Sequence, residues 1–324
     1  MVYEVLGKLI PENELPLNVK TAVNNVSTVL NIYRASLGIP VTERALTITG
    51  EVNNCGNYIL PLGTTIRDAL DFAGGLKTYP FTVISGGPMM GEIVKDLSTP
   101  VIKTTGGLIV LPVKHPLITR KEKDILHEFK SANSACDQCR YCTDLCPRFL
   151  LGHEMEPHKV MQALAHSTNE EELSRSFLCC GCQVCSYYAC PLFLSPGKIL
   201  QKIRMDLVKN KIKNTYCKSG LKTSMFRNFR KLPFNRLVAR LGLADYAANL
   251  KSYFNKSFFP KKVILPLKQH AGSPAKPIVE KNQKVEKGNL IAEIQENNLG
   301  ANIHASIDGV IENISEYSIT IKSC

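Results

Sequence analysis

The stretches CDQCRYCTDLCP (residues 136–147) and CCGCQVCSYYACP (residues 179–191) hold nine of the chain's twelve cysteines. Each contains three cysteines separated by two residues and ends in a fourth cysteine followed by proline. The gap before that last cysteine is three residues in the first motif and four in the second. In a chain of 324 residues, such clustering is more typical of metal binding than of a small secreted disulfide framework.

The spacing predicts two [4Fe–4S] clusters with crossed ligation. Thiolates two residues apart can reach three corners of one cluster, whereas the cysteine before the proline ligates the other cluster. The predicted ligands are Cys136, Cys139, Cys142 and Cys190 for cluster 1, and Cys179, Cys182, Cys185 and Cys146 for cluster 2. Structural zinc is the alternative, because four-thiolate zinc sites also use C-x2-C pairs, although they usually join two such pairs.

Other residues around the motifs are predicted to play no part in ligation. The gap before Cys190 is one residue longer than usual, and a bulge in that loop would absorb it. Cys180 lacks the spacing of a ligand and is interpreted as a bystander thiol. Because eight cysteines complete both sites, His153, His158 and His166 are expected at the surface or at helix caps.

Composition and charge narrow the class of protein. Hydrophobic residues make up 44% of the chain, which excludes wholesale disorder. The longest apolar run, Gly107 to Val113, is too short to span a bilayer, and the first residues do not resemble a signal peptide. The sequence therefore predicts a soluble, cytoplasmic protein with no transmembrane segment.

The net charge of +12 comes from one segment. Residues 202–262 contain sixteen Lys or Arg and two acids, so this segment carries +14 and the rest of the chain −2. A basic surface facing solvent or a partner is one interpretation, and a scaffold that docks an acidic partner is another. Phe226, Phe229 and Tyr253 could stack on nucleic acid, but no recognised binding module is present, and no nucleic-acid partner is expected.

The pattern along the chain predicts its organisation. Residues 41–118 are interpreted as a compact β-rich domain with one helix, 130–200 as the helical cysteine domain, 201–262 as a basic helical connector and 263–324 as short strands. The stretches SGGPMMG (85–91) and KTTGG (103–107) are interpreted as tight turns, because neither opens a helix as a phosphate loop should. Thr168 and Glu171 predict a capping box for the helix that leads to Cys179.

The two cysteine motifs, followed by RFLLGHEMEPH (148–158) and PLFLSPGKI (191–199), resemble the dicluster ferredoxin module of the Rnf C-subunit family. Within that family the likeness is greatest to the cobalamin reductases of propanediol-utilization microcompartments. Three further stretches extend it. VNNVSTVLNI (23–32) resembles the end of the family's flavin- and NADH-binding domain, RALTITGEVNNCGNYILPLGTTIRDALDFAGG (44–75) its soluble-ligand-binding β-grasp (SLBB) domain, and VILPLKQHAGSPAKP (263–277) its barrel-sandwich module.

The resemblance implies a fold class and a function. The fold would be α+β and multidomain: an SLBB-like β-grasp domain, an α-helical dicluster [4Fe–4S] ferredoxin domain and a C-terminal β barrel-sandwich hybrid. The function would be electron transfer from an NADH-derived flavin to an acceptor, with cob(II)alamin implied and an Rnf-type electron transport complex as the alternative. Partners would be a flavin/NADH-binding protein or fragment, a corrinoid adenosyltransferase or a microcompartment shell protein, inside a bacterial microcompartment.

The chain departs from the family's pattern at its beginning. Residues 1–40 resemble only a remnant of the flavin/NADH-binding domain, and no G-x-G-x-x-G occurs in the sequence. We therefore expect FMN to be bound elsewhere, and we assign no catalytic residue. Barrel-sandwich modules are related in shape to lipoyl carriers, but the hairpin tip Gln295-Glu296-Asn297-Asn298 contains no lysine, which argues against a swinging arm.

Overall fold

The computed structural model describes residues 1–166, 170–246 and 250–323. They form two compact units. Unit 1 comprises Met1–Val23 and Thr119–Asp245, and unit 2 comprises Asn24–Ile118 and Tyr246–Cys324. Thr168, the first residue of the predicted capping box, and the side chain of His166 lie outside the described part of the chain.

The secondary structure alternates between helical and β-rich regions. Among the described residues the α-helices are α1 (Val2–Leu6), α2 (Val26–Ser36), α3 (Ile66–Phe72), α4 (Pro116–Glu122), α5 (Ile125–Ala135), α6 (Tyr141–Asp144), α7 (Pro147–Leu150), α8 (Pro157–His166), α9 (Glu170–Ser174), α10 (Pro196–Lys209) and α11 (Phe234–Arg240). The strands are β1 (Glu43–Gly50), β2 (Gly56–Pro61), β3 (Phe81–Ser85), β4 (Glu92–Val94), β5 (Gly107–Pro112), β6 (Lys251–Ser252), β7 (Lys262–Pro266), β8 (Lys276–Pro277), β9 (Lys284–Val285), β10 (Leu290–Glu293), β11 (Ile303–His304), β12 (Gly309–Ile314) and β13 (Ser318–Lys322).

Unit 2 contains a six-stranded sheet in the order β4-β3-β5-β1-β2-β6. Strand β1 pairs antiparallel with β2 and parallel with β5. Helix α3 begins after Thr65, whose side chain accepts a hydrogen bond from the Asp68 backbone N–H at 3.1 Å. Alternate strand residues such as Ile48 and Leu108 pack with Leu70 of α3 into one apolar core. This part of unit 2 is therefore β-rich, with helix α3 packed against the sheet.

The glycine-rich stretches are turns, as the sequence predicts. Residues 85–92 connect the antiparallel pair β3 and β4, and the Gly91 N–H donates to the Gly87 carbonyl at 2.7 Å. Gly107 opens strand β5 rather than a helix. Neither stretch therefore presents the helix N-terminus that a phosphate loop requires.

The last part of unit 2 forms two small sheets, β7-β13-β12-β9 and β11-β10-β8. Their inward-facing residues, including Val263, Ile291, Ile311 and Ile321, are fully buried in a second apolar core. The segment between β10 and β11, which carries the exposed tip at residues 295–298, projects from these sheets. This is the architecture expected of a barrel-sandwich hybrid.

Unit 1 is helical around the cysteine motifs. Helices α5, α8 and α10 contact one another pairwise. Their apolar faces form a core that includes Ala132, Val160 and Ile199, all fully buried, and the same core contains Cys146 and Cys190. The loops that carry the cysteines are therefore anchored directly to the helical core.

Residues 1–40 are divided between the two units. In unit 1 the buried carboxylate of Glu12 accepts hydrogen bonds from the backbone N–H groups of Glu154 at 2.7 Å and Lys218 at 3.2 Å. In unit 2 helix α2 forms where apolar periodicity predicts it, yet Leu30 and Tyr33 on that helix are exposed. No helix in the described ranges is long and apolar enough to cross a membrane.

Candidate iron–sulfur centres

The structure brings the four predicted ligands of cluster 1 together. These residues, here called cysteine set 1, are Cys136, Cys139, Cys142 and Cys190, and all four line one small cavity in unit 1. Met161 and Leu194 are apolar parts of the same wall. Burial and the charges of the other three thiolates raise the pKa of the Cys142 thiol to about 12. Four sulfurs from two separate motifs therefore face one another in a largely apolar cavity.

The predicted ligands of cluster 2 are also neighbours. These residues, here called cysteine set 2, are Cys146, Cys179, Cys182 and Cys185. Burial raises the pKa of the Cys185 thiol well above its usual value, and the charges of Cys179 and Cys146 raise it further. Burial likewise raises the pKa of Cys146 to about 12, and the nearby thiol of Cys179 contributes to that shift. The thiol of Cys146 therefore lies beside the second motif rather than beside its own.

Local sequence explains why the last cysteine of each motif turns away from the other three. In the first motif Cys146 directly precedes helix α7, whose first residue is Pro147. Proline suits the first position of a helix because its fixed φ is helical and its missing N–H is not needed there. The residue before a proline is restricted to extended conformations, and Cys146 has φ −71° and ψ 120°. Cys190, before Pro191, has nearly the same conformation, with φ −71° and ψ 118°.

The longer gap in the second motif is accommodated by one turn of π-helix at Cys185–Ala189. The Cys190 N–H donates to the Cys185 carbonyl at 3.2 Å, a hydrogen bond that spans five residues instead of four. In the corresponding turn of the first motif the hydrogen bond spans only three residues, from the Cys146 N–H to the Thr143 carbonyl at 2.9 Å. A wider turn thus takes up the extra residue, where the sequence suggested a bulge.

Arg120 holds this π-helical turn from a distant part of the sequence. Its guanidinium donates to the backbone carbonyls of Ser186 and Tyr187. It also lies over the Tyr187 ring, with its carbon 5.0 Å from the ring centroid, and over the Phe193 ring at 5.3 Å. Sequence reasoning missed this residue, because the spacing of the motifs gives no indication of an arginine some 65 residues away.

Cys180 lies closer to cysteine set 2 than a bystander would. Interaction with the neighbouring Cys182 thiol lowers the pKa of Cys180. The charge of Cys180 also acts on Cys146 and Cys179. Cys180 is nevertheless exposed, whereas Cys146 and Cys185 are buried. Its interpretation as a non-ligand stays a prediction.

The nearby histidines are expected at the surface or at helix caps, and the surface position is wrong for His153 and His158. His158 does lie at a helix end, in the first turn of α8. His153 is 4% exposed and His158 is 9% exposed. A ring nitrogen of His158 is 2.7 Å from the Thr143 hydroxyl, which also accepts the His158 backbone N–H. Burial, together with the nearby Arg148 charge, lowers the pKa of His153 to about 4. His158 therefore supports the first cysteine loop from inside, through Thr143.

The residues present fit iron–sulfur clusters in donor chemistry. Each cysteine set supplies sulfur donors only, and such donors are the usual ligands of a [4Fe–4S] cluster. Thiolates crowded into a buried site repel one another, so they need the positive charge of bound iron to remain ionised. Across the described ranges, no three or more His, Cys, Asp or Glu side chains form a ready site for a single metal ion.

Comparison with known proteins agrees with this geometry. Among family models, the SLBB domain matches residues 46–92, the 4Fe-4S dicluster domain matches residues 135–195 and the RnfC barrel sandwich hybrid domain matches residues 249–323. The chain is thus an iron–sulfur electron-transfer protein of the RnfC-like class, as the sequence predicted.

Individual relatives define the family more narrowly. The cobalamin reductase PduS of Citrobacter freundii is 38% identical over 324 residues, which cover 99% of this chain and 71% of that protein. The PduS of Salmonella typhimurium is 39% identical over the same shares. The C-subunit of the proton-translocating ferredoxin:NAD(+) oxidoreductase complex of Clostridium ljungdahlii is 37% identical over 46% of this chain and 31% of that protein. The chain belongs to the PduS cobalamin reductase family.

Proposed function

We propose that this chain holds two [4Fe–4S] clusters, one on each cysteine set, and conducts electrons from a reduced flavin to cob(II)alamin. The observation that carries the proposal is the shared cavity of cysteine set 1, because three of its thiols come from the first motif and Cys190 comes from the second. Such crossing between motifs is typical of two-cluster ferredoxins.

The cysteine sets are close enough to influence each other. The charge of Cys142 in set 1 contributes to the raised pKa of Cys185 in set 2. When bound, a four-iron cluster accepts and donates single electrons at a potential set by its hydrogen bonds and its exposure to solvent. The protein supplies such hydrogen bonds, for example from the Gly181 N–H to the Cys179 sulfur at 3.3 Å. Burial of Cys146 and Cys185 shields the second set from water.

The electron donor and acceptor are proposed by analogy with the relatives. The PduS proteins are named cobalamin reductases, so we propose that cob(II)alamin is the acceptor and cob(I)alamin the product. We propose that the flavin is bound outside these 324 residues, in another protein or segment that oxidises NADH. A corrinoid adenosyltransferase or a microcompartment shell protein is the proposed neighbour inside a bacterial microcompartment.

The test is anaerobic and has three parts. Purified protein should contain about eight irons and about eight sulfides per chain, the sum for two four-iron clusters. Dithionite should bleach the cluster absorbance, whereas NADH alone should not. NADH together with a separate NADH-oxidising flavoprotein should reduce cob(II)alamin, and omission of either protein should abolish the reaction.

Different failures would overturn different parts of the proposal. Two zinc ions without labile sulfide would exclude the clusters. Bleaching by NADH alone would place a flavin on this chain. Full cluster content and flavoprotein-dependent reduction without any reaction of cob(II)alamin would overturn the proposed acceptor. The likeness to the Clostridium protein would then favour an Rnf-type electron transport complex. Failure to co-purify with shell proteins or an adenosyltransferase would argue against the microcompartment.

A further inference from the structure

A basic groove of about 540 Å³ lies beside cysteine set 1 in unit 1. Its walls come from both cysteine motifs and from helix α11 and the turn before it. The residues that matter are Tyr141, Leu145, Tyr188, Arg230, Arg236 and Arg240. Tyr141 directly precedes Cys142, and Tyr188 lies two residues before Cys190. Any molecule in this groove would therefore rest against the loops that carry cysteine set 1.

The three arginines give the groove a net positive charge. Arg230 faces the Asp144 carboxylate at 3.8 Å, which partly offsets its charge. Arg240 donates to the Cys190 carbonyl at 3.3 Å and lies 4.5 Å from the centroid of the Phe193 ring. Arg236 is exposed and, among the described residues, forms no ion pair or hydrogen bond. Two guanidinium charges thus remain without a carboxylate, and of these two exposed arginines only Arg240 has a hydrogen-bond partner among the described residues.

We propose that this groove docks an acidic one-electron carrier protein, an inference that rests on the proposed electron-transfer function. Complementary charge speeds encounter and fixes orientation between proteins, and its effect falls with ionic strength. Residues 202–240, which belong to the same unit as the groove, are also rich in Lys and Arg. Docking here would bring the carrier next to set 1, whose Cys139 is exposed. One electron passes between the carrier and this chain, so that one is oxidised and the other reduced, with no bond formed or broken.

A protein fits the groove better than a small anion does. Small phosphates are usually held by backbone N–H groups at a glycine-rich turn or helix start. This groove instead presents long arginine side chains, two tyrosine rings and apolar contact from Leu145 and Ala239. Arginine and tyrosine are also the residue types enriched in protein interfaces.

The test compares Arg236→Glu with Lys213→Glu. Lys213 is exposed, belongs to the same basic segment and does not line the groove, so its substitution makes an equal change of charge. The probe is a gallium-substituted plant-type ferredoxin, which is acidic and redox-inert, so binding is measured without electron transfer. At low salt, Arg236→Glu should weaken binding about tenfold relative to the wild type, and the difference should vanish at high salt. Lys213→Glu should change binding about twofold or less.

The outcomes separate this inference from the proposed function. Iron content and bleaching by dithionite report on the clusters alone and should be equal in both variants and the wild type. Equal weakening by both substitutions, or no binding by a fully loaded wild type, would overturn the docking site while leaving the clusters in place. The groove would be a small-anion site instead if inorganic pyrophosphate bound to the wild type but not to Arg236→Glu, while that variant bound ferredoxin as the wild type does. The proposed protein docking site would also be overturned if the wild type and Lys213→Glu retarded duplex DNA in a gel in a salt-sensitive way and Arg236→Glu did not.

Discussion

The two cysteine sets have the same donors but different surroundings. Set 1 includes the exposed Cys139, and the loops that carry it form one wall of the basic groove. Set 2 has two buried members, Cys146 and Cys185, whereas set 1 has one, Cys190. An additional thiol, Cys180, lies beside set 2, and interaction with Cys182 lowers its pKa. The difference indicates that one site faces the surface, where a partner can approach, and that the other is shielded within the unit.

This comparison gives each set a position in the proposed electron path. A potential depends on exposure, on hydrogen bonds to sulfur and on nearby charge. Arginines contribute differently at the two sets, because Arg120 holds the backbone turn before Cys190, whereas Arg148 places its charge near the thiols of Cys179 and Cys180. Substitution of Arg148 should therefore affect set 2. Substitution of Arg120 should affect mainly set 1, because Arg120 lies near the Cys190 thiol, although the turn it holds begins at Cys185 of set 2.

The largest expected effect follows from Cys146→Ser, which tests whether ligation crosses between the motifs. Cys146 lies beside Cys179 and Cys185, so we expect the loss of the cluster on set 2 and the retention of that on set 1. Iron should fall from about eight to about four per chain, because each cluster holds four. EPR of the dithionite-reduced protein should then show one magnetically isolated cluster.

The control for this prediction is Cys217→Ser. Cys217 is an exposed thiol in neither motif, and its substitution should leave iron and the EPR spectrum unchanged. Loss of the cluster on set 1 in the Cys146→Ser protein, with set 2 intact, would contradict the crossing and would place all four cysteines of the first motif on one cluster.

A smaller effect is expected from Arg120→Leu, which removes support from the π-helical turn between Cys185 and Cys190. The substitution leaves the carbonyls of Ser186 and Tyr187 without their charged donor. A hydrogen bond to a charged group contributes about 1.5–3 kcal/mol, and Arg120 is half-buried, so the lower end of that range applies. This corresponds to about a tenfold faster loss of iron from set 1 to a chelator.

Arg204→Leu is the matched control at the other set. Arg204 donates to the Cys179 carbonyl at 3.3 Å but is exposed. Water can replace an exposed donor, so iron release should change about twofold or less. Equal acceleration by both substitutions would show that the turn at Cys185–Ala189 has no special dependence on Arg120.

A third prediction concerns the potential of the cluster on set 2. Burial raises the pKa of Cys179, and the positive charge of Arg148 opposes that rise. Interaction with Cys182 lowers the pKa of Cys180, and Arg148 adds to that lowering, so Arg148 stabilises negative charge at this site. Arg148→Gln should make reduction harder and lower the midpoint potential of that cluster by roughly 50 mV, as expected for one charge in a partly solvated site. Redox titration followed by EPR measures this, and the potential of the cluster on set 1 should stay constant. A higher potential, or an equal change at both clusters, would contradict a local effect of Arg148.

The sequence predicted the parts of the site that depend on local spacing. Both C-x2-C-x2-C runs, the extended conformation of Cys146 and Cys190 before proline and the start of α8 at Pro157 follow from neighbouring residues. The fold class followed from strand and turn patterns together with the family resemblance. The crossed ligand assignment itself remains a prediction, although the structure places the thiols accordingly.

Contacts between distant residues could not be predicted. The hold of Arg120 on the turn before Cys190, and that of Glu12 on the backbone of Glu154 and Lys218, join residues far apart in sequence. The surface placement of His153 was wrong because sequence does not reveal which polar side chains a folded core will enclose. Apolar periodicity correctly predicted helix α2, but it did not reveal that the apolar side chains of this helix are exposed.

The smallest effect is expected from Cys180→Ser, which decides whether set 2 has four thiol ligands or a fifth. Interaction with the Cys182 thiol and the nearby Arg148 charge lower the pKa of Cys180, and a thiol that ionises readily is a good metal ligand. Spacing argues otherwise, because Cys179, Cys182 and Cys185 already follow the x2-x2 pattern of three corners, and Cys180 is exposed. Cys180→Ser should therefore retain about eight irons, with the EPR signal of set 2 changed only slightly.

Cys179→Ser provides the counterpart, because the adjacent Cys180 could replace the lost ligand there, whereas no cysteine adjoins Cys146. If Cys180→Ser instead lost about four irons, as Cys146→Ser is expected to, Cys180 would be a true ligand. The second set would then differ from the first in composition as well as in burial.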